Sequence, residues 1–454
     1  MPTVSSAKSG DAPRGLSDEE AREIAVEAYI YAFPLVLMEI SRRSATNIAA
    51  PGHRKAPVNR FGHMQRFPDA SFRDGVLPNV DTLFSVLWFD VSAEPLVVQK
   101  PDSGGRYHML PILDMWTDIF ASPGSRTTGD AAETFAIVGP HWRGSLPDGM
   151  HGLVSPTGQG WINGRTQADG IADFSAVREF QSGLTACPLS LSGGPCKLSP
   201  QHVDAGVPAT PALEQIEAMD ATAFFSLFAD LARQNPPHTQ DQPILARMAR
   251  VGLEPGKTFV LSELPPATRE AFLTAPAVAT ESLKLEVFRT AAVVNGWRFL
   301  GQPMGTYGTD YIHRASVAYN ALGANVAEDT CYLVLVFDDR GERLQSESRY
   351  AIHFEREQLP PVHAFWSLTL YDERRYFADN PMNRYALSNR DELAINPDGS
   401  IDFWVQRDDP GAGRSANWLP TPRQGAFSLV LRLYWPKPEV ANGGWRPPPI
   451  TAVR

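Results

Sequence analysis

The chain has 454 residues, more than one ordinary domain core holds, so two or three domains are expected. Its net charge of -10 disfavours nucleic acid and anionic membrane surfaces as partners, because both select basic patches. Hydrophobic content of 43% with 20% charged residues is globular composition, and 39 prolines with 35 glycines point to a turn-rich, β-heavy protein.

The first 16 residues read as a disordered leader without an apolar signal-peptide core. Ser17 and Glu20 in "SDEE" form a capping box ahead of an amphipathic helix to about Arg43, with Pro34 as a kink site. From about residue 76 the period changes to two. "VDTLFSVLWFDV", "GGRYHMLPILDMW" and "ETFAIVG" read as strands of a β domain within residues 17–209. Residues 210–300 return to helical spacing, with Leu213, Ile216, Phe224, Leu227 and Leu231 on one stripe. Residues 301–454 carry five strong strands joined by turn signals, which argues for a jelly-roll-like antiparallel sandwich. The fold class is therefore mainly β, with two sandwich or jelly-roll-like domains, an N-terminal helix and a helical middle region.

Three cysteines, Cys187, Cys196 and Cys331, make no disulfide framework. "CPLSLSGGPC" could close a bridge, but free thiols in a reducing compartment are the expectation. No apolar run approaches the ~20 residues that span a bilayer. A cytoplasmic location is expected, or a periplasmic one if a signal has been removed.

Signatures for nucleotide loops, HExxH metal sites, GxSxG nucleophile elbows and CxxC pairs are all missing. No cofactor is expected. A divalent metal remains an alternative, carried by His353 and His363 on strands read as neighbours, with Glu355 as third ligand. Polar residues concentrate elsewhere. Asp81 opens a strand after a turn, where capping is its ordinary role. Arg106, Tyr107, Asp114, Arg126 and Thr128 lie among apolar residues, so Asp114 must pair, accept hydrogen bonds or raise its pKa. An Asp114–arginine ion pair is the plain structural expectation. Arg384 and Tyr385 follow a turn, and Trp418 sits in a rigid loop. The outward faces of the C-terminal strands carry Tyr371, Trp404, Arg432 and Tyr434. If they share one sheet, they form a ligand floor or an interface. In "PPVHAFWSLTLY" (360–371), alternation puts Val362, Ala364, Trp366, Leu368 and Leu370 in the core and His363, Phe365, Ser367, Thr369 and Tyr371 opposite.

"PNVDTLFSVLWFDVSAEPLVV" and "GRYHMLPILDMWTDIFASPGSRTTG" resemble the domain of unknown function numbered 1254. "YGTDYIHRA", "LPPVHAFWSLTLYD", "NPMNRYALSNRD" and "LRLYWPK" resemble the partner domain numbered 1214. The resemblance implies an N-terminal mostly β domain, a helical middle, a C-terminal jelly-roll-like sandwich and a homo-oligomer.

The functional expectation is a metal-free hydrolase or lyase acting on a small, partly apolar organic substrate in a cleft between the two β domains. Asp81, Asp114, Tyr107 and Tyr371 are its candidate catalytic residues. Arg106, Arg126, Thr128, Arg384, Tyr385, Trp404, Trp418, Arg432 and Tyr434 are its candidate substrate contacts. The alternatives are a non-catalytic glycan-binding, small-molecule-binding or assembly protein and a metal-dependent oxygenase or hydrolase.

Overall fold

In the computed structural model, residues 16–73, 75–300 and 303–453 are described. The expected leader falls almost wholly outside them. The helices are α1 (Asp18–Thr46), α2 (Phe174–Gly183), α3 (Ala212–Glu217), α4 (Ala221–Gln234), α5 (Gln242–Ala249), α6 (Pro266–Arg289), α7 (Tyr311–Ala321) and α8 (Pro438–Ala441). The strands of the N-terminal half are β1 (Gly62–His63), β2 (Thr82–Asp90), β3 (Leu96–Lys100), β4 (His108–Met109), β5 (Ile112–Asp114), β6 (Ile119–Ala121), β7 (Glu133–Val138), β8 (His151–Val154), β9 (Gln159–Gln167) and β10 (Thr185–Pro188). Those of the C-terminal half are β11 (Ala292–Val294), β12 (Trp297–Phe299), β13 (Thr330–Leu335), β14 (Arg349–Phe354), β15 (Val362–Asp372), β16 (Ala386–Ser388), β17 (Ile401–Gln406), β18 (Trp418–Pro420), β19 (Phe427–Pro436) and β20 (Ile450–Val453).

The chain is a mixed α/β protein with two sheet-built domains. In the N-terminal domain the path β1-β2-β9-β5-β6, with β4 also on β9, faces the sheet β10-β3-β7-β8. Leu87, Phe89 and Ile162 meet Val98, Phe135 and Ile137 between them. In the C-terminal domain β11-β12-β13-β19-β15-β16 faces β18-β17-β14-β20. Trp366, Leu368, Leu370, Leu431 and Leu433 fill that core against Ile352, Phe354 and Phe403. The parity read for β15 therefore holds from Trp366 onward. A register irregularity between Val362 and Phe365 disturbs it at the strand's start, where Ala364 joins the Phe365 side. The first two strands of the C-terminal sheet come from residues 292–299, ahead of residue 301.

The capping box forms as expected. Glu20 N–H donates to Ser17 Oγ at 3.2 Å and Ser17 N–H donates to Glu20 Oε2 at 3.2 Å. Contrary to expectation, α1 is long and apolar enough to cross a membrane by length and composition, yet 78% of its apolar window is buried inside the protein. It is the central helix of the helical layer, packed on α4, α6 and α7 through residues such as Tyr29, Phe33 and Leu35. A second correction concerns the thiols. Cys187 and Cys196 are bridged, with Cα atoms 5.9 Å apart, and Cys331 is free and buried.

Candidate functional site

The outward face of β15 and β19 is a seam between the two β domains. Asp81 stands at its centre, just before β2. Its Oδ2 accepts from Ser367 Oγ at 2.6 Å and Tyr434 OH at 3.1 Å, and its Oδ1 accepts from Arg390 Nη2 at 3.1 Å. Arg432 donates to Thr369 Oγ1, Tyr371 OH and the Leu77 carbonyl, and Tyr371 OH donates to the Pro78 carbonyl. Burial pushes the Tyr434 phenol well above its ordinary pKa, with the Asp81 charge adding to it. A second tie joins the same halves. Arg126 Nε donates to Asp329 Oδ1 at 2.6 Å, Ser122 donates to Oδ2, and Tyr107 OH donates to the Asp329 carbonyl at 3.0 Å.

Several sequence candidates go elsewhere. Trp404 does not join Tyr371, Arg432 and Tyr434: it lies on β17 in the other C-terminal sheet, beneath Arg414. Trp418 is buried and donates Nε1 to the Gln406 carbonyl. Arg384 binds the Ser415 and Trp418 carbonyls, while Tyr385 stacks on Phe377. Arg106 forms a two-pronged pair with Asp173, and Thr128 Oγ1 accepts from Gly124 N–H. His353 and His363 are not neighbours, because β14 and β15 belong to different sheets. His353 contacts Asp402 at 2.7 Å and Glu355 at 3.4 Å, while His363 packs on Trp435. Among the described residues no group of three or more His, Cys, Asp or Glu side chains could hold a metal ion.

The remaining candidate, Asp114, heads a different group. Its partner is not an arginine. Asp114 Oδ2 contacts His238 Nε2 at 2.6 Å, and its Oδ1 accepts from the N–H groups of Trp116 and Asp118 at 2.9 and 3.0 Å. Asp118, four residues on, takes the expected arginine: Arg314 Nη2 donates to its Oδ2 at 3.3 Å. Asp118 Oδ2 is also 3.7 Å from His238 Nδ1. Asp241 lies beside the group, accepting from Tyr31 OH at 2.9 Å, Tyr311 OH at 3.1 Å and His238 N–H at 3.2 Å.

Local structure explains the placement. The β5–β6 turn carries Asp114 and Asp118. Arg314 lies three residues after Tyr311 on α7, one turn along the same face. His238 and Asp241 bracket the 3-10 turn Thr239–Asp241 that leads into α5, with the Asp241 carboxylate accepting from His238 N–H. The turn contains Thr117 at φ 71°, a conformation a β-branched residue rarely adopts. Such strain persists only where the surroundings enforce it.

The two polar groups differ in one respect. Asp81 and Arg432 find several partners each. In contrast, Asp118 Oδ1, Thr117 Oγ1, His238 Nδ1, Arg314 Nε and Arg314 Nη1 are five of the sixteen buried side-chain polar atoms without a hydrogen-bond partner among the described residues. Leaving such atoms unmatched is costly, so their concentration needs a reason. Burial pushes the Asp118 carboxyl up to about 6, against the pull of Arg314. Burial works to lower His238, but the Asp114 hydrogen bond and charge outweigh it and raise the imidazole above 6.5. Trp116, Tyr31, Tyr311 and Phe228 form the adjoining aromatic wall. Two surface clefts, of about 300 Å³ beside Lys100 and Glu133 and about 410 Å³ beside Ile40 and Arg43, are lined by other residues.

Asp114 and Arg126 were legible as buried charges needing partners. His238, Asp241, Arg314 and Asp118 were not singled out. The available signals were "DMWTD", two carboxylates bracketing an apolar turn, and "HTQD" after two prolines.

Comparison with known proteins bears on the whole chain. The description "Protein of unknown function (DUF1254)" matches residues 58–188, and "Protein of unknown function (DUF1214)" matches residues 329–438. No curated protein matches. The crystal structure of the VPA0106 protein from Vibrio parahaemolyticus superposes with TM-score 0.73 at 21% identity, over 96% of this chain and 100% of that one, a likeness of fold. A putative uncharacterized protein from Burkholderia cenocepacia gives 0.44 at 11% identity, over 96% and 95%. His238, Asp241 and Arg314 lie between the two matched segments, and Tyr31 precedes both.

Proposed function

This chain belongs to the family that joins DUF1254 to DUF1214, whose descriptions name no activity, and from its side chains we propose that it is an acid–base enzyme, a hydrolase or lyase, working at Asp114, His238, Asp118 and Arg314. The observation that carries this reading is the concentration of unmatched buried polar atoms around a paired imidazole and two carboxylates. The site then lies where the β5–β6 turn meets α7 and the α4–α5 connection, rather than between the two β domains.

Asp114 holds His238 Nε2 and fixes the ring, which leaves Nδ1 turned toward Asp118. Burial raises the Asp118 carboxyl to about 6. Burial lowers the His238 imidazole, but the Asp114 hydrogen bond and charge raise it against that pull, so one group can remove a proton while the other supplies one. Arg314 supplies fixed positive charge to an oxygen that becomes negative in the transition state. The aromatic wall suits a partly apolar substrate body.

The test is a turnover screen of purified protein over esters, lactones, sulfates and epoxides, followed by single substitutions. His238→Gln and Asp118→Asn are each expected to lower kcat by about 10²-fold or more, the ordinary worth of a general acid or base. Asp81→Asn, in the seam, is expected to change stability before kcat. Full turnover by a folded His238→Gln protein would sink the proposal.

A further inference from the structure

The same unmatched atoms specify a ligand. This step rests on the catalytic reading of the Asp114–His238 group and concerns what binds there. Arg314 is 1% exposed. Its Nη2 is engaged by Asp118 and by the Gly308 carbonyl at 2.9 Å, while Nε–H and Nη1–H have no acceptor. Those two donors call for an oxygen acceptor. Asp118 Oδ1, by contrast, has no donor within hydrogen-bond geometry, and it belongs to the carboxylate that the Tyr307 backbone N–H and Arg314 already serve. Thr117 Oγ1, on the adjoining residue of the strained turn, can serve either need.

A ligand with one kind of polar atom answers half of this arrangement. A bare carboxylate would satisfy Arg314 but leave Asp118 Oδ1 without a donor. A bare alcohol would satisfy Asp118 and leave the guanidinium donors unmatched. Satisfying both requires an acceptor and a donor a bond or two apart, since the two demands arise on side chains in direct contact. We infer that the site takes small hydroxy-acyl compounds, meaning hydroxy acids and their esters, amides or lactones, with the carbonyl or carboxylate oxygen on Arg314 and the hydroxyl on Asp118.

The probes are glycolate, acetate and ethanol, with binding to the full chain followed by saturation-transfer NMR. Glycolate should bind about tenfold more tightly than acetate, the worth of one added hydrogen bond to a charged group, and ethanol should give no saturable signal. Arg314→Lys should weaken glycolate binding by about tenfold or more, because a lysine cannot reproduce the guanidinium donors. Asp118→Asn, close in size and expected to fold, should bring glycolate and acetate to within about twofold of each other, since it removes the charged acceptor. Equal binding of acetate and glycolate to the unmodified protein overturns the inference. So does the absence of binding, or binding that neither substitution alters. Should glycolate bind selectively while no hydroxylated ester is turned over, the catalytic reading fails and the ligand class stands. If a His238-dependent activity handles esters with and without the hydroxyl equally fast, the catalytic reading stands and this inference fails.

Discussion

Thr117 shows most directly how a single residue can be set against the fold's own preference. A left-handed backbone costs a β-branched residue on the order of 1–3 kcal/mol. Thr117→Gly should therefore raise stability by about 1 kcal/mol in urea unfolding, while lowering turnover, because the turn presenting Asp114 and Asp118 loosens. The titrating pair gives a signed expectation. Asp118 in the folded protein is raised from 3.8 to about 6, and His238 is raised above 6.5. Each raised group contributes stability that is complete below its unfolded pKa and is lost as pH rises through its folded value. The urea midpoint should accordingly fall as pH climbs from about 4 to 6 through Asp118 and again as it climbs above 6.5 through His238, and His238→Gln should flatten the upper part of that slope. A pH series on both proteins checks it. Asp114 was readable as a buried acid in need of a partner, but the partner was not: His238 lies 124 residues away, and Arg314 lies 196 residues from Asp118. No local spacing encodes contacts of that kind.

Elements were more legible than contacts, for reasons that can be traced. Ser17 and Glu20 announce the start of α1 through chemistry confined to one turn, and the structure forms both reciprocal bonds. Ser17→Ala should cost about 1 kcal/mol in thermal or urea unfolding, as loss of a capping side chain does. Alternation assigned Trp366, Leu368 and Leu370 to the core of β15, because a period of two needs only one sheet face to be apolar. It could not say what the opposite face meets, nor reveal the irregularity near Phe365 that shifts the strand's first residues. The strand neighbours of His353 were likewise hidden. Turn residues mark where strands end, but sheet membership depends on pairings such as β14 with β20, whose residues are about 100 apart.

At the scale of the molecule, the two β domains are held by charged and hydroxyl groups rather than by apolar packing alone. Asp81 serves Ser367, Tyr434 and Arg390, and Asp329 serves Arg126 and Ser122. Removing one member leaves a buried charge uncompensated, so Arg126→Met should destabilise the chain by about 3 kcal/mol. Calorimetry should show that loss and a broadened or split transition as the halves uncouple. The helical group has another consequence. Tyr31 and Asp241 are separated by 210 residues, yet they belong to the group that ends with Arg314. During synthesis the first helix waits through most of translation before its companions exist. Neither β domain, completed alone, contains the set. The chain thus carries its own order of assembly: the Asp114, His238, Asp118 and Arg314 group is complete only after α7 has emerged and docked, with β13 to β20 still to follow.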